Sequence, residues 1–332
     1  MMAPARTSIL MRHRLHWLEP VFWVAALLVY FVYPEYLAVA TTVLIMALFA
    51  LSYDLAIGFA GILTLGHGLY FGIGAYAAGL IAKFAWNEAI TGALAAGGIS
   101  AAVAAALGPF VLRLSGLPLI MVTLGISVIV FELGNKAGWI TGGDDGLTGF
   151  AMAPLLGSFR WSLFGHTKFL YVLGWLFVLF YLLRRVVASP FGVALQGIRE
   201  NRQRMQLVGA PVLRHLVIAY VISAAIAGIA GALLAQTSAF VGLGVLSLDV
   251  TLDGLVMVVL GGIGTLHGSL LGAPLYLLVK HFTSQWNPDY WLFAVGALLI
   301  LTVRFGRGGV IGLCARWLTR IHGARVGKVP RA

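Results

Sequence analysis

Long apolar runs, each broken by a short stretch rich in Gly, Pro or Arg, follow one another along most of the chain. A run of about 20 apolar residues is what an α-helix needs to cross a bilayer, because lipid cannot hydrogen-bond stray backbone N–H and C=O groups. Hydropathy predicts spans at about residues 20–34, 36–57, 62–83, 89–112, 115–135, 167–183, 213–235, 252–264, 269–282 and 290–303. The alternation over about ten residues expected of a transmembrane β-strand is absent. The expectation is an all-α, polytopic membrane helix bundle of about ten segments, forming one domain over residues 1–332. The eighth and ninth runs are short and flank GGIGTLHGSLLGA, so they read either as two spans or as the limbs of a broken, re-entrant hairpin whose irregular backbone protein must cover.

Composition agrees: 61% of residues are hydrophobic, only 10% are charged, and the mean hydropathy is +0.97. The net charge of +11 is a matter of topology more than of nucleic-acid binding, because the basic residues lie between the spans and at the two ends. Under this span list Arg6, Arg12, Arg14, Arg113, Arg184, Arg185, Arg199, Arg202, Arg204, Arg214 and the basic tail 304–332 share one side. Lys83, Lys136, Arg160, Lys168 and Lys280 are left for the other. By the positive-inside rule both termini are cytoplasmic, and the loop 138–166, with TGGDDGLTG, is outside. The apolar stretch after the N-terminal arginines has no small-residue cleavage site, so it reads as an uncleaved first span. Cys314 is the sole cysteine, which rules out an intrachain disulfide.

Candidate chemistry is sparse. The run GILTLGHGLYFGIGAY, residues 61–76, sets His67 between Gly66 and Gly68 in otherwise apolar sequence. Small residues let helix backbones approach closely in lipid, and Gly68 with Gly72, Gly264 with Gly268 and Gly272, and Ser223 with Ala227 and Gly231 form such stripes. Ionisable groups within spans are costly and mark function; here they are Asp54, His67, Glu132, Asp253 and His267. Asp54 and Glu132 fall near span ends and read as interfacial. His67 reads equally as a pathway residue or as a packed ring donating to a backbone carbonyl freed by its glycines. The acids are scattered, with no paired array of the kind a proton-coupled carrier uses, which weakens an ion-coupled secondary transporter. No nucleophile with its base, metal motif or phosphate-binding P-loop is present, so the chain is not expected to be an enzyme or to hold a metal or other cofactor. TLGHG at 64–68 with Gly72 parallels TLHG at 265–268 with Gly272, compatible with a duplicated half or with chance among Gly-rich segments.

The polar segment 189–211, SPFGVALQGIRENRQRMQLVGAP, reads as one short helix on the inner face. Ser189 suits the cap, Pro190 the first turn and Gly209 the end, with Pro211 blocking continuation. Phe191, Ala194, Ile198 and Met205 recur at helical spacing, and Glu200 and Arg204 are placed to pair one turn apart. Such a helix lies on lipid headgroups or in a partner's groove, and the residue pattern leaves both open.

Four motifs in order resemble the permease subunits of bacterial branched-chain amino acid ABC importers, a family that includes urea and short-amide permeases. They are LTLGHG at 63–68, TGGDDGL at 141–147, GVALQGIRENRQRMQLVG at 192–209 and GGIGTLHGSLLGA at 261–273. The resemblance spans about residues 37–312. It implies half of a translocation pathway in the bacterial inner membrane, paired with a second, related permease subunit. It further implies two cytoplasmic ABC ATPases that carry the ATP and Mg, and a periplasmic solute-binding protein. Residues 189–211 become the coupling-helix loop, with Gly192, Ala194, Ile198, Arg199, Glu200, Asn201, Arg204 and Gly209 facing the ATPase. Gly66, His67, Gly68, Gly72, Gly261, Gly262, Gly264 and Thr265 become pathway or helix-break positions. Gln203, Arg204 and Met205 stand where importers usually show Glu-Ala-Ala. The resemblance favours a branched-chain or related amino acid as solute, with urea or a short amide as the alternative.

Overall fold

The computed structural model describes residues 18–154, 165–286, 293, 295–300 and 309, and among them it is helical with no strand beyond one isolated bridge. The helices are α1 (Leu18–Val32), α2 (Leu37–Asp54), α3 (His67–Phe84), α4 (Ala89–Val111), α5 (Leu117–Lys136), α6 (His166–Ala188), α7 (Pro190–Glu200), α8 (Arg202–Leu207), α9 (Val212–Ser238), α10 (Leu248–Gly261) and α11 (Leu266–Trp286). Five stretches are long and apolar enough to cross a membrane: Pro34–Phe59, Ala89–Val111, Leu117–Lys136, His166–Ala188 and Val212–Ser238. The pair α10 and α11, bent by 116° at its break, has the geometry of a broken span or of a re-entrant loop. Most of the predicted tenth span and of the basic tail lies outside the described residues.

The structure moves several predicted boundaries. The third span was expected from about residue 62, yet helix α3 opens only at His67. Before it, α2 runs past Asp54 into a wider π-helical turn, Leu55–Phe59, and residues 60–66 are non-helical. The eighth and ninth spans are one hairpin of unequal limbs, 14 residues in α10 and 21 in α11. At about 1.5 Å per residue α10 covers roughly 21 Å, too little for a hydrocarbon core of about 30 Å. Residues 239–247, with the short 3-10 turn Leu243–Leu246, lead into α10. They are pinned to the TGGDDGL loop by reciprocal bonds between Leu147 and Val241, of 2.8 and 3.1 Å.

At the centre stands α9, whose 27 residues pack against α2, α3 and α4. Its predicted small-residue stripe is buried: Ser223 and Ala227 are fully enclosed, and Gly231 lies against the backbone of Phe71 on α3. One turn earlier on the same face, Gly228 lies against Ser100 of α4, and Gly74 of α3 meets the Gly228 backbone. These are the close approaches that association in lipid requires. By contrast α5 buries only Leu119, Thr123 and Ser127, one residue per turn, leaving its far face for lipid or another subunit.

The 189–211 segment is not one helix. It breaks at Asn201, whose extended backbone ends α7 and whose side chain caps α8 by accepting the Arg204 N–H at 2.9 Å. Glu200 and Arg204 therefore sit on different helices and form no ion pair. Ser189 precedes α7, but its hydroxyl donates to the Val186 carbonyl at 2.6 Å and makes no side-chain cap.

If α3 and α9 owe their contact to Gly231, Gly231→Val should cost about 1–3 kcal/mol or more by forcing the backbones apart. The readout is the thermal midpoint of the purified chain in detergent. Gly98→Ala, at a position with open space around it, should leave that midpoint unchanged or slightly higher. An unaltered midpoint for Gly231→Val would refute the contact.

Candidate functional site

Two helix breaks meet on one short segment of α2. The first is the 60–66 stretch before α3. Its backbone groups are taken up by hydroxyls: Tyr53 donates to the Thr64 carbonyl, Thr123 accepts from Leu65 N–H at 3.2 Å, and Thr64 accepts from Gly66 N–H at 3.1 Å. Thr251 of α10 accepts from Gly68 N–H at 2.9 Å. Polar groups that lipid would leave bare are thus satisfied inside the protein.

His67 stands at the head of α3 and is 0% exposed. Its ring stacks on Tyr53 at 4.6 Å and 3°, with Phe49 and Tyr70 on other sides. Nε2 lies 3.0 Å from Ser52 Oγ and 3.4 Å from Ser223 Oγ. Both serines spend their protons elsewhere, Ser52 on the Phe49 carbonyl and Ser223 on the Ser52 carbonyl, each at 2.6 Å. Their oxygens therefore only accept, and His67 must carry its proton on Nε2. Nδ1 is buried with no partner. The ring donates to a side-chain oxygen, not to the backbone carbonyl expected from its glycines, and in this conformation it packs inside the chain.

The second break, Gly262 to Thr265 between α10 and α11, is met two residues further along α2. Asp54, expected to be interfacial, is 0% exposed, and its Oδ1 accepts the Gly264 N–H at 2.7 Å while Oδ2 has no partner. Arg199 reaches in from α7 to donate to the Gly58 carbonyl, in the turn that continues α2. Its Nη1 also lies 2.8 Å from where a Cβ on Gly264 would sit. Gly264 has φ +79°, and a Cβ on Gly58 would lie 2.5 Å from Gly264 N, so neither position admits a side chain.

Of the predicted coupling residues, Gly192 and Ile198 are buried on the bundle side of α7 and Ala194 is half-buried. Arg199 bridges to α2, Asn201 makes the break, Glu200 and Arg204 face outward, and Gly209 turns the chain with φ +86°. Of the break positions, Gly66, His67, Gly68 and Gly72 gather around Thr123, Leu246 and Thr251, whereas in the second set Gly264 meets Gly58 and Asp54, Gly261 lies against Gly268, and Thr265 donates to the Gly262 carbonyl at 2.6 Å. His267 instead lies edge-on to Phe180 at 5.6 Å, so the two similar motifs hold their histidines differently. Sequence reasoning passed over Ser52, Tyr53, Gly58, Thr123 and Thr251, hydroxyl and glycine positions indistinguishable from packing ones, and read Ser223 only as part of a packing stripe. It also missed the pairing of Asp253 with Lys280 at 3.0 Å. At the opposite end of the bundle a cavity of about 400 Å³ opens among Glu35, Thr41, Thr42, Lys168, Thr237 and Ser238.

Broken helices, hydroxyl-lined turns and an ion pair inside an apolar bundle define a multi-pass membrane protein of transporter type. The family model described as the permease component of branched-chain amino acid transport systems matches residues 35–303, and the chain belongs to that family. It is 30% identical over 294 residues to the high-affinity branched-chain amino acid transport system permease protein LivM of Salmonella typhimurium strain LT2, covering 82% of this chain and 69% of that protein. The corresponding LivM of Escherichia coli K12 is 29% identical over 311 residues, 87% of this chain and 73% of that one. A probable branched-chain amino acid transport permease protein LivM of Methanocaldococcus jannaschii is 28% identical over 149 residues, 41% of this chain and 43% of the other. No solved structure matches the chain.

The tautomer of His67 is testable. A glutamine amide nitrogen reaches where Nε2 sits, and an asparagine one where Nδ1 sits, so His67→Gln should retain about 1 kcal/mol more stability than His67→Asn. His67→Ala, which empties an aromatic-lined site, should lose about 3–5 kcal/mol by analogy with large-to-small core changes. Thermal unfolding in detergent measures the order, and an Asn variant as stable as the Gln variant would refute the assignment.

Proposed function

We propose that this chain is the permease subunit of an ATP-driven importer of branched-chain or related amino acids, forming half of the translocation pathway. In this reading it lies in a bacterial inner membrane with both termini cytoplasmic. It pairs with a second permease subunit, takes solute from a periplasmic binding protein, and rests on two cytoplasmic ATPases that bind and hydrolyse ATP with Mg. The high-affinity branched-chain amino acid systems to which the similar LivM proteins belong support the solute class.

The observation that carries the coupling assignment is the α7–α8 elbow. It stands at one end of the bundle and presents Leu207, 88% exposed, and Val208, 78% exposed, beside Arg202 and Arg204. An apolar tip with basic flanks suits a groove on a partner better than lipid, because its apolar surface is too small to anchor a helix in the headgroup region. Behind the tip, Ile198 is buried against the bundle and Arg199 contacts the joint between both helix breaks. A push on the elbow therefore reaches Gly58, Asp54 and Gly264 through one side chain. ATPase closure moves α7, the joint shifts the hairpin α10–α11 against α2, and access changes sides. The cavity around Glu35 and Lys168, at the far end, is the vestibule that receives solute.

Exchanging the charges, Arg199→Glu with Glu200→Arg, should cut ATP-driven uptake by at least about tenfold while the protein still inserts at normal levels. Uptake of labelled leucine into proteoliposomes holding all the subunits measures it. Undiminished uptake would refute the coupling assignment. Uptake by this chain alone, abolished by a protonophore and indifferent to ATP, would replace the reading with a secondary carrier.

A further inference from the structure

Across the hairpin, α10 and α11 present four polar side chains to one another. Asp249 and Asp253 lie one turn apart on α10, and Tyr276 and Lys280 one turn apart on α11. Lys280 Nζ is 3.0 Å from Asp253 Oδ2, and the Tyr276 hydroxyl donates to Asp253 Oδ1. Asp249 acts on Tyr276 electrostatically but makes no hydrogen bond or ion pair of its own, and it is exposed.

Depth and exposure make this cluster unusual. Asp253 precedes Gly261 by eight residues and Lys280 follows Leu266 by fourteen. At 1.5 Å per residue these are about 12 and 21 Å from the turn, within a hydrocarbon core of about 30 Å. Yet the side chains of Lys280 and Asp253 are 33% and 19% accessible in this chain. Charges at the middle of a bilayer are tolerated where they face a partner or a water-filled path, not lipid. The cluster holds two acids to one lysine, so it carries a negative charge to spare.

Resting on the permease reading above, we propose that Asp249, Asp253, Tyr276 and Lys280 are the point on the pathway that recognises the zwitterionic end of an α-amino acid. The solute's ammonium group takes the place of Lys280 on Asp253, with Asp249 as its second acceptor. Its carboxylate takes Lys280 and the Tyr276 hydroxyl. Each charge released from the resting pair gains an opposite charge from the solute, so the exchange leaves no charge bare inside the membrane. In the empty state Asp253 and Lys280 satisfy each other and the gate is closed. The same hairpin carries Gly264 at its turn, against Asp54 and Arg199, so motion of α7 changes the spacing of the two walls.

Asp249 separates this proposal from a merely structural clasp, since it makes no hydrogen bond or ion pair and its place in the first turn of α10 bears on that helix end alone. The full chain, assembled with its partner subunits in nanodiscs and without the binding protein, is titrated with labelled leucine in a scintillation proximity assay. Asp249→Asn and Lys280→Gln should each weaken binding by about tenfold or more, as loss of a charge-assisted contact does. Leucinamide, which lacks the carboxylate, and 4-methylpentanoate, which lacks the ammonium, should fail to displace leucine from the unaltered protein. Wild-type affinity in Asp249→Asn, with a lowered thermal midpoint only in Lys280→Gln, would reduce the cluster to a clasp and overturn the proposal. Displacement by leucinamide as effective as by leucine would overturn it equally. If variants that bind as wild type also leave ATP-driven leucine uptake intact, the cluster falls and the permease reading stands. Absence of any leucine uptake by the complete unaltered assembly would bring down the permease reading and the cluster with it.

Discussion

Every backbone group that leaves a helix inside the membrane needs a protein partner, and here one segment of α2 meets that need for two breaks at once. Tyr53 takes the Thr64 carbonyl of the first break, and Asp54 takes the Gly264 N–H of the second. Ser52 holds the ring of His67, the first residue of the helix that follows the first break. Three consecutive side chains thus tie α2 to α3 on one side and to the α10–α11 hairpin on the other. An unsatisfied amide in hydrocarbon costs several kcal/mol, so these bonds decide whether the broken helices form at all.

The two breaks are built from different materials. The first is lined by neutral hydroxyls and stacked rings, with His67 Nδ1, an acceptor in this tautomer, buried there without a partner. Opening it would strand several buried groups together, which makes it a rigid strut. The second depends on a carboxylate and on a guanidinium that arrives from outside the bundle, on α7. One moving element can withdraw that guanidinium. In the proposed coupling the hydroxyl-lined break holds the frame while the charged one yields, and the small residues between α3, α4 and α9 let helices slide with little change in packing volume.

Hydropathy was enough to read the helical class and the five stretches long and apolar enough to cross a membrane, because length and polarity alone decide what can sit in lipid. The break at 261–273 was legible from two apolar runs too short to span on either side of a glycine cluster, whereas hydropathy carried the third span through the motif at 61–76, and only the family resemblance marked a break there. Finer features depended on tertiary partners. Asp54 looked interfacial by position along its span, yet the hairpin folds over it. Asp253 and Lys280, 27 residues apart, meet only because α10 and α11 double back. The division of 189–211 was signalled by Asn201, a strong capping residue before Arg202, but the regular apolar spacing from Phe191 to Met205 outweighed it.

The position of Asn201 gives that division a mechanical meaning. Had α7 continued through residue 207, its axis would carry the exposed tip Leu207 and Val208 along the same line as Arg199, and a force on the tip would slide the helix lengthwise. With the chain turned at Asn201, α8 is a separate short helix, held by its capped first turn, by Met205 packed against Gly197 of α7, and by the Gly209 bend. In the proposed coupling, a load on Leu207 rotates α7 about its buried line, Gly192, Leu195 and Ile198, and so changes the reach of Arg199, the next residue round the helix, toward the Gly58 carbonyl. In that reading the elbow turns a sideways load into the making or breaking of one contact beside the charged break, where α10 and α11 meet α2.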